Sequence, residues 1–139
     1  MKFWDSSAII PLLVPEADSA RREQQLLDDP DMIVWFGSLA EVESSLSRRL
    51  REHEMTSIDE SRARQHMEKL TTHWIEVAPT REVRSRAIRL LRVHPLRAAD
   101  AFQLAAALIF CREQPETFSF LTADQRLRSA AIAEGFISQ

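Results

Sequence analysis

Along the chain, short continuous apolar runs alternate with longer stretches in which apolar residues recur every three or four positions, the signatures of buried strands and of one-sided helices. Met1-Lys2-Phe3-Trp4-Asp5 reads as a short strand ending in a carboxylate, and Phe118-Ser119-Phe120-Leu121-Thr122-Ala123-Asp124 as another. Between them the pattern predicts helices over 6–14 and 16–28, the second closed by Asp29-Pro30, and a strand over 32–36. A Gly37-Ser38 turn opens a helix over 39–53, with Leu39, Val42, Leu46 and Leu50 on one stripe and Ser38 as its N-cap. Helices over 58–74, 80–93 (capped by Thr80) and 96–112 surround a short strand over 75–78, and the chain closes with strand, helix and a brief last strand. Helices that follow strands at this spacing predict right-handed crossovers and a mainly parallel sheet covered on both faces, a three-layer α/β/α sandwich.

Length sharpens this picture. A chain of 139 residues with 45% hydrophobic content buries one substantial core and hardly two, so 1–139 reads as a single domain. The apolar run over 8–14 is interrupted by Pro11 and lacks a small-residue cleavage site, which argues against a secretory signal or membrane span and for a cytoplasmic protein. Cys111 sits alone in an apolar helical stretch and reads as core packing. His53, His66, His73 and His94 are scattered and match no zinc-binding spacing.

Net charge is −3, which argues against a general nucleic-acid coat protein, but its distribution is uneven. Only Lys2 and Lys69 are lysines, whereas Arg81, Arg84, Arg86, Arg89, Arg92 and Arg97 crowd one segment with Glu82 as its only acid. That segment reads either as a solvated helix face or as a strip that holds phosphates, with Arg84, Arg89, Arg92 and Arg97 as substrate-binding candidates.

The most informative feature is four acids far apart in sequence that each fall where a strand hands over to a helix, or in a first helical turn: Asp5, Glu41, Asp100 and Asp124. Each has an ordinary explanation. Asp5 can cap the helix that begins at Ser6, Asp100 can complement a helix dipole, Glu41 beside Glu43 can be surface charge, and 122–125 fits a capping box. Yet Asp100 is the only ionisable group between Arg97 and Arg112, so it is expected to be partly buried, and an unpaired buried carboxylate is costly. In open α/β sheets the carboxyl ends of the strands share one rim, where these acids would meet. Carboxylates brought together there repel one another unless a cation neutralises them, and oxygen-only donors favour Mg²⁺ or Mn²⁺. Such a site suits phosphodiester hydrolysis by a metal-activated water, with Asp5, Glu41, Asp100 and Asp124 as catalytic acids and Asp5, Asp100 and Asp124 as metal ligands. Ser7 is a candidate to fix a water on the metal, and Thr122 to orient Asp124 or touch a phosphate.

Four segments of the chain resemble the motifs of the PIN-domain ribonucleases, most closely the VapC-type toxins of bacterial toxin–antitoxin pairs: Phe3-Trp4-Asp5-Ser6-Ser7-Ala8, Ser38-Leu39-Ala40-Glu41-Val42-Glu43, Leu96-Arg97-Ala98-Ala99-Asp100-Ala101-Phe102-Gln103-Leu104-Ala105 and Leu121-Thr122-Ala123-Asp124. Ser6 stands where that family often has Thr. Glu43 lies about 200° around the helix from Glu41 and is left out of the metal set. The resemblance implies a metal-dependent endoribonuclease that cuts single-stranded RNA, works as a homodimer and is inhibited by a small VapB-like antitoxin whose tail occupies the acidic groove. Two other readings fit the same residues, a catalytically inert PIN-like binding module and a housekeeping RNA-processing nuclease without an antitoxin. A receiver domain is disfavoured, because Asp5 is followed by serines and no lysine occurs after Lys69.

Overall fold

Successive strand residues point to opposite faces of a sheet, and here both sets are apolar, so both faces must be covered. The computed structural model describes residues 1–139. In chain order it contains β1 (Lys2–Trp4), α1 (Ser6–Leu13), α2 (Ser19–Asp28), β2 (Met32–Trp35), α3 (Ser38–Arg51), α4 (Ser57–Thr71), β3 (Ile75–Val77), α5 (Arg81–Val93), α6 (Ala98–Phe110), a 3₁₀ turn at Pro115–Thr117, β4 (Ser119–Leu121), α7 (Gln125–Ala133) and β5 (Ile137–Ser138). The strands form one sheet in the order β3-β2-β1-β4-β5, and every neighbouring pair is parallel.

The alternation sorts the core into two layers. Phe3, Ile33, Trp35, Val77 and Phe120 face one side and pack with Ala87, Leu90, Leu104, Leu108 and Leu127 of α5, α6 and α7. Trp4, Met32, Val34 and Leu121 face the other, against Ile9, Leu13, Val42, Leu46, Ala63 and Met67 of α1, α3 and α4. The Phe3 and Phe120 rings stack across β1 and β4 with centroids 5.2 Å apart. This is the expected three-layer α/β/α sandwich. Cys111 is buried, as its apolar context suggests. No helix is long and apolar enough to cross a membrane.

Departures from the expected elements concentrate at helix starts. Ser38 is the first residue of α3 and not its cap; Gly37 takes the cap position without a side-chain bond, and the Ser38 hydroxyl reaches Gln103 instead. Leu39 is 41% exposed, because it lies in the first turn while Val42 and Leu46 reach the core. The helix expected over 96–112 begins at Ala98, since the Leu96 amide is tied back to the His94 carbonyl around Pro95. Helix α4 starts one residue earlier than expected, through a capping box between Thr56 and Asp59.

Arg22 of α2 is completely buried. Its guanidinium donates to the Thr122 carbonyl at 3.1 Å, to Gln25 Oε1 at 3.0 Å and to the carbonyl of Gln139 at 3.4 Å. It thereby ties α2 to the segment that follows β4. At the other side of the sheet Gly37 is set by close approach: a Cβ there would come within 2.6 Å of Trp35 Nε1. Gly37→Ala must therefore displace a core indole, and we expect a loss of about 1–3 kcal/mol in a urea unfolding curve. An unchanged midpoint would show that the contact has slack.

Candidate active site

Because all strands run parallel, their carboxyl ends open on one rim, and the four acids reach it from four different segments. Asp5 follows β1 and caps α1, Glu41 lies in the first turn of α3, Asp100 in the first turn of α6, and Asp124 follows β4 and caps α7. Asp5 is only 3% exposed, Glu41 and Asp100 are half-buried, and Asp124 is exposed.

The capping and rim roles are compatible, because a carboxylate has two oxygens. Asp5 Oδ2 accepts the Ser7 amide at 3.3 Å, the Thr122 hydroxyl at 2.9 Å and the Ser7 hydroxyl. Its Oδ1 has only the Ser6 hydroxyl, at 3.5 Å, and that single proton goes to Glu41 Oε2 at 2.7 Å. Asp124 Oδ1 accepts the Leu127 amide at 2.8 Å, which leaves Oδ2 for other partners. The two hydroxyls beneath Asp5 are also fixed: Ser7 Oγ accepts the Ala123 amide at 2.9 Å and Thr122 Oγ1 accepts the Asp124 amide at 3.0 Å. Ser7 and Thr122 thus position Asp5 and the acid-bearing loop together. Thr122 acts on Asp124 through the Asp124 backbone amide.

Burial, reinforced by like charge, sets the electrostatics of the rim. Burial pushes the Asp5 carboxyl above the ordinary aspartate range, the Ser7 and Thr122 hydroxyls pull it part of the way back, and the Glu41 carboxylate pushes it up again. Asp100 is raised by burial first and then by the carboxylates of Asp124 and Asp5, with the Arg97 backbone and charge as partial offsets. Asp100 and Asp124 share a groove of about 590 Å³ with Arg97 and Arg126, while Glu41 opens with Ser6 onto a neighbouring depression bordered by Ser44, Ser45 and Arg48.

Several members of this site lie outside the set of candidate residues. Gln103, buried in α6, donates to Ser38 Oγ at 3.0 Å and to Glu41 Oε1 at 3.3 Å. It is one helical turn from Asp100, and its being the only amide in an apolar helix is the clue that was available. Arg126, Arg128 and Arg22 also belong to the neighbourhood; Arg128 donates to the Thr122 carbonyl at 2.8 Å. The arginine-rich segment does not form one strip. Arg86 pairs with Glu113 at 2.9 Å and Glu134 at 3.1 Å. Arg84 and Arg89 lie about 140° apart around α5. Arg97 borders the acids, Arg84 lines a separate pocket, and Arg89 and Arg92 are solvent-exposed. Glu43 pairs with Arg64 of α4.

The geometry so far defines the fold and an acidic rim. The PIN domain family pattern matches residues 2–133. The chain belongs to the PIN domain family. Among solved structures it is similar to a toxin–antitoxin complex from Klebsiella pneumoniae (TM-score 0.63, 18% identity, 91% of this chain and 88% of that one). It is also similar to PAE2754 from Pyrobaculum aerophilum (0.68, 15%, 99% and 87%) and to FitAcB from Neisseria gonorrhoeae (0.68, 15%, 99% and 96%). At these identities the likeness is one of fold. No curated protein matches the chain by sequence.

Whether the rim suits the divalent cation implied by the family has two sides. The donors are all oxygens, and Asp5 Oδ1 has no hydrogen-bond proton committed to it, which is the chemistry of a hard cation. However, no group of three or more His, Cys, Asp and Glu side chains lies close enough together to hold an ion, so Asp5, Asp100 and Asp124 are not gathered into a finished three-carboxylate cage. Mg²⁺ needs only one or two carboxylates and keeps several waters, so the residues fit an ion of that kind.

A pH dependence follows. A carboxyl whose pKa is higher in the folded state binds its proton more tightly there, so its stabilising contribution is complete below the unfolded value of about 3.8 and is lost as pH rises through the raised folded value. In chelator, thermal stability should fall over that window, and Asp100→Asn should flatten the fall. Parallel curves for the two proteins would show that Asp100 feels no repulsion.

Proposed function

We propose that this chain is a metal-dependent endoribonuclease, the toxin of a type II toxin–antitoxin pair, acting in the cytoplasm as a single PIN domain over residues 1–139. The observation that carries the reading is the convergence of Asp5, Asp100 and Asp124 on one rim, where the carboxylates of Asp124 and Asp5 both push up the pKa of Asp100. Family membership and the Klebsiella toxin–antitoxin neighbour support it from outside the chain.

In this reading Asp5, Asp100 and Asp124 hold Mg²⁺ or Mn²⁺, and Glu41 stands beside them. An ion held there would supply a water of lowered pKa and neutralise charge on the phosphate. The protein's own part is positioning. Ser7 and Thr122 fix Asp5, the Ser6 hydroxyl and the Gln103 amide fix Glu41, and the Asp124 cap fixes the start of α7. Arg97 and Arg126, beside Asp100 and Asp124 in the open groove, are placed to hold the phosphates of single-stranded RNA, with Arg84, Arg89 and Arg92 as outlying contacts. The partner is a VapB-like antitoxin whose tail covers the groove. A homodimer is supported by Ile88, Leu91 and Val93, which α5 leaves 47%, 40% and 65% exposed.

A second reading is a PIN-like module that binds a partner without cutting, to which the family match and the fold apply unchanged. Activity separates the two. We expect the purified chain to cut single-stranded RNA only with Mg²⁺ or Mn²⁺. Asp5→Asn and Asp100→Asn should each lower kcat/KM by about 10³-fold or more, with melting temperatures unchanged or raised. A folded variant that cuts at the original rate would place the chemistry elsewhere. A wild-type chain that binds its partner and cuts nothing would establish the second reading.

A further inference from the structure

One pocket stands apart from the acidic groove and is used by nothing described so far. It opens at the carboxyl ends of β2 and β3 and is lined by Trp35, Pro79, Thr80, Arg81, Arg84 and Phe102. The Trp35 and Phe102 rings are stacked with centroids 5.5 Å apart and planes 7° from parallel. Trp35 is a core residue at 8% exposure, whereas Phe102 is only half-buried and keeps part of its surface open. Gly37 lies against the Trp35 indole so closely that no side chain fits between them, and Phe36, 54% exposed, meets Trp35 edge-on on the outer side.

The polar side of the pocket is cationic. Arg81 and Arg84 are exposed, and neither takes part in an ion pair, in contrast to Arg86 on the same helix. The Thr80 hydroxyl caps the Val83 amide and the Thr80 carbonyl takes the Arg84 amide, so the first-turn amides of Arg81 and Glu82 have no partner within the helix. An aromatic wall beside two unneutralised guanidinium groups and free helix-start amides matches a nucleobase joined to a phosphate, in charge and in shape. An acidic peptide would satisfy the cations but not the flat aromatic surface.

The position agrees with that match. From β1, which carries Asp5, to β3 is two strand spacings, on the order of 10 Å along the rim. Phe102 directly precedes Gln103, the amide that holds Glu41, so the aromatic wall and the acidic site are parts of one helix.

We infer that this pocket is a base-binding subsite that receives a nucleotide flanking the scissile bond of a single-stranded RNA, with Phe102 stacking on the base and Arg84 and Arg81 holding the adjoining phosphate. It rests on the nuclease reading and adds to it a source of register preference separate from the cutting site. Stacking tolerates any base, so the preference is for an unpaired nucleotide at one fixed distance from the cut.

The test uses the intact protein and a set of RNAs that differ by a single abasic position, scanned along the strand on both sides of the mapped cut. With the wild-type chain, one position a short way from the cut should raise KM about tenfold while kcat stays within about twofold. Phe102→Leu keeps an apolar side chain of similar bulk; it should raise KM for the intact RNA by a similar factor and lose nothing more on that abasic strand. Losses that multiply independently at every position, or an unchanged KM on every RNA, would overturn the assignment, the latter leaving the pocket to a protein side chain. If Phe102→Leu melts early, Arg84→Gln at the exposed wall replaces it. That variant should reduce the slope of log affinity against log salt by about one, and an unchanged slope would equally overturn the assignment. Failure of the wild-type chain to cut any RNA would instead refute the nuclease reading beneath it.

Discussion

A carboxylate buried at the end of the central strand is the constraint around which this molecule is arranged. Asp5 follows β1, which has neighbours on both sides, so its side chain has little access to water. Left alone it would cost several kcal/mol. Three donors meet one of its oxygens, and two of these, the hydroxyls of Ser7 and Thr122, simultaneously accept the amides of Ala123 and Asp124. The Thr122 carbonyl in turn receives both Arg22 and Arg128. A chain of hydrogen bonds therefore runs from α2, under β4, to Asp5. Through Ser6, Glu41, Gln103 and Ser38 a second chain joins α1, α3 and α6.

These networks satisfy geometry but not charge. Hydroxyls and amides can share the hydrogen-bond load of a carboxylate, and burial together with neighbouring acids still makes ionisation of Asp5 and Asp100 unfavourable. The fold holds these carboxyl groups at helix starts, where the dipoles at Asp5, Asp100 and Asp124 offset part of the repulsion. Arg97 offsets part of the charge on Asp100 and lines the groove with Arg126, and a divalent cation held there would neutralise the remainder. In the proposed nuclease, stability and activity would be opposed in the same residues.

Much of this was legible in the sequence. Phe3 and Trp4 show by alternation alone that β1 is covered on both faces, and the acids at strand ends indicate the shared rim. What stayed hidden depends on contacts between distant residues. Ser38 looks like a helix cap until Gln103, 65 positions on, claims its hydroxyl. Arg22 looks like one of several surface charges on an amphipathic helix, and only the fold brings it to a carbonyl 100 residues away. The arginine-rich segment suggested a strip because sequence proximity imitates spatial proximity; helical rotation sends Arg86 to Glu113 and Glu134 and Arg84 to the aromatic pocket. Local capping chemistry is readable one residue at a time, whereas a polar network is readable only after the chain has closed.

The central claim is that the rim acids are tolerated because they receive a divalent ion. Crystals soaked in Mn²⁺ and measured at an anomalous wavelength test it most directly. The account predicts a strong peak between Asp5, Asp100 and Asp124, with carboxylate oxygens drawn in to about 2.2 Å. A rim without a peak at millimolar Mn²⁺, or an ion bound elsewhere while the three acids stay apart, would contradict it.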